Sequence, residues 1–267
     1  MFFTLFALVL TAHLISDFLL QTDKIANNKK ELKVKSGWRA MFTHAVITFI
    51  LNVAALYFLL DGLWPLLGAA AITAAHLGID IIKDMIKCNK RYTLKFVLDQ
   101  ITHAAAIAAI VHEVLINTSQ TFTGLYSVLK PLLLLPDWSG ESDKILWTII
   151  TGLICIWGGA YLIRSLLNDL NINLEEQIKK PNKGNNAHTG KWIGILERIA
   201  ILILIPLDQW AAVGLLLTAK SIARHKNMED KAYAEYYLIG TLLSFIIAVA
   251  GGLLISGIWP KSVAALP

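Results

Sequence analysis

Two stretches, HLISDFLL at residues 13–20 and HLGIDIIK at residues 76–83, decide the fold. Each places a histidine and an aspartate four residues apart near the end of a long apolar run, and that spacing puts both side chains on one face of a helix. Outward from them, apolar stretches recur near 1–22, 39–60, 63–86, 93–116, 144–165, 197–219 and 235–258. Each reaches the roughly 20 residues that cross a ~30 Å hydrocarbon core. With 56% hydrophobic and only 16% charged residues, the chain is far from a soluble domain. The expected fold is all-α, a polytopic transmembrane helix bundle.

Charge is concentrated in the links. Lys24, Lys29, Lys30, Lys33, Lys35 and Arg39 follow the first run, and Lys83, Lys87, Lys90, Arg91 and Lys95 lie between the third and fourth. The link around Asp61 has no basic residue. The positive-inside rule then puts the N-terminus outside and both basic links in the cytoplasm of a bacterial inner membrane. The net charge of +5 therefore reports topology, and no nucleic-acid partner is expected. The opening MFFTLFALVL lacks a charged leader and a small-residue cleavage site, so it reads as a retained span. Cys88 stands in a basic link and Cys155 within a run, a placement that supports neither a disulfide nor a cysteine metal site.

Three parts are expected. Residues 1–116 form a four-helix half built from two duplicated hairpins, since HLISDFL at 13–19 recurs as HLGIDII at 76–82 and Thr43-His44-Ala45 recurs as Thr102-His103-Ala104. Residues 117–143 contain an apolar run too short and too proline-interrupted for a span and read as an outer-surface segment. Residues 144–258 form a C-terminal helical half with a cytoplasmic loop at 166–190. Within it, 197–219 breaks at Ile205-Pro206-Leu207-Asp208. A straight crossing would put Lys220, Arg224, Lys226 and Lys231 outside, so a kinked span and a re-entrant hairpin both stand as readings.

At ~1.5 Å per residue, Asp17, Asp80, Asp99 and His44 fall some 6–9 Å inside the cytoplasmic helix ends, with His13, His76 and His103 about one turn deeper. The order H-x-x-x-D becomes D-x-x-x-H in the fourth run, which travels the opposite way, so the order in depth is kept. Ionisable groups in hydrocarbon are costly, and several together point to a site. Interhelical hydrogen bonds account for any one of them alone but poorly for the layered set. Imidazole with carboxylate suits a divalent transition metal, zinc foremost, with manganese, iron or nickel as alternatives. The metal candidates are His13, His44, His76, Asp80, Asp99 and His103; Asp17, Asp80 and Asp99 are candidates for the base that serves a metal-bound water. Four His and three Asp exceed one tetrahedral zinc site with an open position, so two ions, or carboxylates that orient imidazoles, are both open.

A second cluster, Arg198, Lys220 and Arg224, could hold a lipid phosphate or carboxylate, although ion pairs with Glu197, Glu229, Asp230 and Glu235 explain it adequately. His112 and Glu113 read as interfacial, and His188 and His225 as solvated.

HLISDFLLQTDK, HLGIDIIK, FVLDQITH, GKWIGILERIAI and EYYLIGTLLS together resemble an uncharacterised family of bacterial inner-membrane proteins defined only as a domain of unknown function, over most of the chain. The intramembrane His/Asp helices are more distantly similar to membrane-bound metal-dependent hydrolases. The functional expectation is an intramembrane metal-dependent hydrolase acting on a lipid or lipid-linked substrate from the cytoplasmic leaflet. A divalent-cation or proton-coupled transporter and a structural or sensory protein with a buried metal are the alternatives, and the oligomeric state stays open.

Overall fold

The computed structural model describes residues 1–29, 35–85, 91–118, 124–132, 140–170, 186–225, 229 and 231–260, and all regular structure among them is helical. The remainder of the links expected at 23–38, 87–92, 117–143 and 166–190, with Cys88, Lys226 and Asp230, lies outside the described residues. Among the described residues, six helices are long and apolar enough to cross a membrane: Phe2–Leu20, Lys35–Leu59, Trp64–Met85, Tyr92–Ile116, Gly140–Asp169 and Tyr233–Ile258. The chain is thus a multi-pass membrane protein by helix length and composition.

In chain order the elements are α1 (Phe2–Leu14, continuing as a π-helical stretch Ile15–Leu20), α2 (Asp23–Lys29), α3 (Lys35–Leu59), α4 (Trp64–Met85), α5 (Tyr92–Ile116) and α6 (Leu125–Leu132). There follow α7 (Gly140–Leu153), a π-helical stretch Ile154–Gly158, α8 (Gly159–Asp169), α9 (Asn186–Leu204), α10 (Trp210–Arg224) and α11 (Lys231–Ile258). Backbone proximity divides the chain into two units, Met1–Asn89 with Leu94–Ile150, and Lys90–Thr93 with Thr151–Pro267.

In the first unit the bundle is apolar at one end and polar at the other. Leu5 and Val9 of α1, Leu56 and Leu59 of α3, Ala69 and Ile72 of α4, and Ile107 and Val111 of α5 form one buried cluster. Lipid tails are as apolar as these side chains, so close packing rather than water exclusion holds such a cluster together. α6 closes this end: the Gly124 N–H donates to Leu59 O over 3.1 Å, and a Cβ at Gly124 would collide with the backbone of Tyr57 and Leu60. Within 117–143 the described residues Leu125–Leu132 form this short helix. At the opposite end the same four long helices carry His13, Ser16, Asp17, His44, Thr48, Asn52, Thr73, His76, Asp80, Asp99 and His103, all buried.

In the second unit the stretch 197–219 does not run straight. α9 and α10 are separate helices joined by a turn in which Asp208 has φ 63°, a left-handed conformation that aspartate tolerates better than most residues. Pro206 brings no N–H, and Gln209 N donates to Leu204 O at 2.9 Å, closing the turn. Glu197 and Lys220, 23 residues apart, form an ion pair across the two helices, so the chain has doubled back. The kinked straight helix is replaced by a helical hairpin. Gly251 and Gly252 of α11 let it pack against this hairpin and the π-helical stretch, since a Cβ there would meet Cys155, Leu202 and Ile205.

Candidate metal centre

α1, α3, α4 and α5 each bring one imidazole to the polar end of the first unit. Nε2 of His44 and Nε2 of His76 lie 2.8 Å apart, and Asp17 Oδ1 is 3.4 Å from each. Asp80 Oδ2 stands 3.8 Å from the first nitrogen and 3.6 Å from the second. Donors around one tetrahedral ion at ~2.0–2.1 Å lie about 3.3–3.4 Å from one another. Asp17 Oδ1 meets that spacing with both imidazoles, the His44–His76 edge is shorter, at hydrogen-bond distance, and Asp80 lies slightly further out. Three sets of donor atoms that could hold an ion emerge: His13, Asp17 and His76; His44, His76 and Asp80; and Asp80, Asp99 and His103.

The sequence does not announce how Asp17 arrives there. Residues Ile15–Leu20 wind as a π-helix, shown by Gln21 N donating to Ser16 O five residues back at 3.0 Å. The wider turn brings the Ser16 hydroxyl to the Thr48 hydroxyl, 2.7 Å away on α3, and sets Asp17 Oδ2 at 4.0 Å from His13 Nε2. In α4, which stays α-helical, the equivalent His76 and Asp80 are closer, at 3.6 Å. The two His/Asp pairs thus differ in structure as well as in sequence. The offset that maps HLISDFLL on HLGIDIIK puts Leu20 opposite Lys83, and the one that maps His44 on His103 puts Ala40 opposite Asp99.

Two lysines complete the site, and sequence reading missed both by treating them as link charges. Lys29, on the short α2, is 4% exposed, and its ammonium donates to Asp80 Oδ2. Lys83 Nζ donates to Asp80 Oδ1 at 2.9 Å and to Asp99 Oδ2 at 3.1 Å. For Lys83 a signal existed, since it lies three residues after Asp80 and so on the same helix face. For Lys29 none did, because its approach depends on how α2 folds back onto α3.

The deeper imidazoles form their own layer. His103 Nδ1 lies 2.9 Å from the Asp99 carbonyl, to which it donates as the Nδ1–H tautomer; this leaves Nε2 as a lone pair facing inward. The His13 and His103 rings stack at 4.9 Å, and His76 contacts both. A cavity of about 10 Å³, on the order of one water, opens among His13, Thr48, Asn52, His76 and His103. His13 Nε2, His103 Nε2, Asn52 Oδ1, Asp17 Oδ1 and Asp99 Oδ1 are buried without a hydrogen-bond partner. Orphaned buried polar atoms are costly, and so many lone pairs in one place fit an ion or solvent.

The second cluster behaves differently. Arg198 is buried and donates from Nε to Ile156 O at 3.1 Å and from Nη1 to Ser244 Oγ at 3.1 Å. Its carbonyl acceptor lies in the π-helical stretch Ile154–Gly158. Lys220 pairs with Glu197 and sits 5.6 Å from the Tyr237 ring centre. The Arg224 side chain is outside the described residues. Arg198 and Lys220 each have internal partners, the adequate structural explanation the sequence already offered. His112 and Glu113 are exposed at the far end of α5, and His225 is exposed; the side chain of His188 is outside the described residues.

Residues 5–129 match the family described as Protein of unknown function (DUF3307), which spans all four helices of the His/Asp centre. The match stops short of GKWIGILERIAI and EYYLIGTLLS, so the resemblance expected over most of the chain rests on its N-terminal part. Neither a curated protein nor a solved structure matches the chain.

Proposed function

We propose that the protein is an intramembrane metal-dependent hydrolase that cleaves a lipid or lipid-linked substrate from the cytoplasmic leaflet of the bacterial inner membrane. The triangle of Asp17 Oδ1, His44 Nε2 and His76 Nε2, with edges of 2.8, 3.4 and 3.4 Å, carries the proposal. Those three residues would hold the ion, zinc by preference, leaving the fourth corner for water beside Asp80. A divalent ion there supplies a water made acidic enough to ionise near neutral pH. Asp80 Oδ2 is placed to take that water's proton, and the ammonium groups of Lys29 and Lys83 hold the carboxylate in position. His103 and Asp99 back this arrangement from α5.

Charge supports the same assignment. Asp17, Asp80 and Asp99 outnumber Lys29 and Lys83 by one negative charge, and a divalent ion with one hydroxide restores neutrality. A site at hydrocarbon depth needs that balance. Elemental mass spectrometry of the protein, purified without chelators, is expected to find about one transition-metal ion per chain. A folded, metal-free protein would overturn the reading. Transport is the competing use of such a centre, and proteoliposomes separate the two: the hydrolase keeps its ion, whereas a transporter moves it across the bilayer.

The orientation belongs to the same proposal. With the N-terminus outside and α9–α10 returning to the side it left, α2, Lys35 and Glu229 all face the cytoplasm and Asp61 faces out. In a chain with Cys88 and Cys155 replaced by Ser, an impermeant thiol reagent on intact cells is expected to label Asp61→Cys and to spare Lys35→Cys and Glu229→Cys. Labelling of Glu229→Cys with Lys35→Cys spared would show that the hairpin crosses.

A further inference from the structure

Around the deep cavity, His13 Nε2, His76 Nδ1, His103 Nε2 and Asn52 Oδ1 are buried and have no hydrogen-bond partner among the described residues. The other polar wall is satisfied, since the Thr48 hydroxyl shares a 2.7 Å hydrogen bond with that of Ser16. The unmade hydrogen bonds of this lining therefore surround one space of about 10 Å³. Its three imidazoles are mutual neighbours: ring centres stand 4.4 Å apart for His76 and His103, 4.9 Å for His13 and His103, and 5.2 Å for His13 and His76.

Donor and acceptor roles select the occupant. His103 Nδ1–H is used on the Asp99 carbonyl, so its Nε2 is an acceptor. Asn52 spends its Nδ2 on Thr73 Oγ1 at 3.4 Å, which leaves Oδ1 as a second acceptor. His76 is the donor of the set. A ring that gives its Nε2 lone pair to an ion carries its proton on Nδ1, and that proton almost always goes to a carboxylate, a carbonyl or a water. The occupant must then accept one hydrogen bond and donate two. A metal ion or an ammonium has no lone pair with which to accept, and a second cation would upset the balance of three carboxylates, two lysines and one hydroxide-bearing divalent ion. Water meets both demands, is typically held by about three such bonds, and fits a space of this size.

We propose that the deep cavity seats one water, which accepts from His76 Nδ1 and donates to His103 Nε2 and Asn52 Oδ1, and so fixes the His76 ring toward the ion. The effect on the ion rests on the metal centre proposed above; the water's bonds to His103 and Asn52 do not. His103 and Asn52 are positioning residues in this scheme, acting on the ion through the water and His76. The deeper imidazole layer thereby has a task without supplying a ligand. His13 Nε2 borders the same space as a fourth neighbour that the count does not require, so its loss leaves the water in place.

Ala106 allows a test that removes no polar group. It lines the cavity three residues after His103 on the same face of α5, and valine there puts methyl groups where the water sits. Ala105→Val, at the exposed neighbouring position, is the control. The full chain is titrated with zinc against a competing chelator, and its zinc-loaded crystal structure is determined at a resolution that shows ordered water. Ala106→Val is expected to bind zinc about 10–100-fold more weakly, the usual cost of losing an outer-shell partner, and Ala105→Val as tightly as wild type. Asn52→Leu, which removes an acceptor at similar size, should weaken binding in the same direction. Cobalt-loaded forms of both weakened variants should keep the wild-type visible spectrum, because the ligands themselves are unchanged. Unaltered zinc affinity in Ala106→Val and Asn52→Leu would overturn the water's role, and altered cobalt spectra in both would reduce the cavity to packing of the ligands. A wild-type map without a water bonded to His103 and Asn52, or with anomalous zinc scattering in its place, would overturn the site. If wild type binds no zinc while the map still shows that water, the metal reading fails and the water site stands.

Discussion

Purified His76→Ala protein is expected to carry less than a tenth of the wild-type metal, with His44→Ala close behind. His76 is the most connected donor: its Nε2 lies 2.8 Å from His44 Nε2, 3.4 Å from Asp17 and 3.6 Å from Asp80. Substituting groups that merely orient a ligand commonly costs 10–100-fold in metal affinity, so loss of a donor should cost at least that. His13→Ala is the informative contrast. His13 Nε2 lies 4.0 Å from Asp17 Oδ2, whereas the triangle uses Oδ1, so this variant should keep most of the ion. Full occupancy in a folded His44→Ala, His76→Ala double variant would remove the proposed centre.

Much of this arrangement is legible in the chain itself. Long apolar runs name the spans because backbone polar groups in hydrocarbon must be satisfied within helices. The i,i+4 histidine and aspartate pairs name the polar end, and the depth argument sorts the candidates into layers. What it could not supply is lateral position. Two depth layers do not say that Asp17 meets His44 and His76 while Asp99 is held by Lys83, because that depends on helix rotation and on a π-helical turn without glycine or proline to mark it. Lys29 illustrates the same gap. The sequence reads it as a topogenic link charge, whereas the structure buries its ammonium on Asp80. The break at Pro206 was visible, but a kink and a hairpin differ only in whether Glu197 finds Lys220, a contact across 23 residues that no local pattern encodes. The second cluster shows the same limit: Arg198, Lys220 and Arg224 look alike in sequence, and only packing shows Arg198 buried on a backbone carbonyl and a serine.

Asp80→Asn is expected to keep its metal and lose turnover by about 10²–10⁴-fold, the usual contribution of a positioned general base. Product release from vesicles of bacterial inner-membrane lipid gives the rate, and elemental analysis of the same protein gives the ion. The amide matches the carboxylate in size and can still accept from one of the two lysines, which bond different oxygens of Asp80, but it cannot take a proton from water. The three aspartates, equal as candidates in sequence, thereby separate. Asp17→Asn should lose metal with activity, since Asp17 Oδ1 closes the triangle at 3.4 Å from both imidazoles. Asp99→Asn should keep metal and much of the rate, because Asp99 contacts Lys83 and His103 rather than the triangle. Lys29→Met extends the logic: without that ammonium the carboxylates carry one more uncompensated charge, so metal should bind at least as tightly while the rate falls as Asp80 loses its tether. If Asp80→Asn turns over within threefold of wild type at normal metal content, the proton goes elsewhere and Asp80 is only a counter-ion for the lysines.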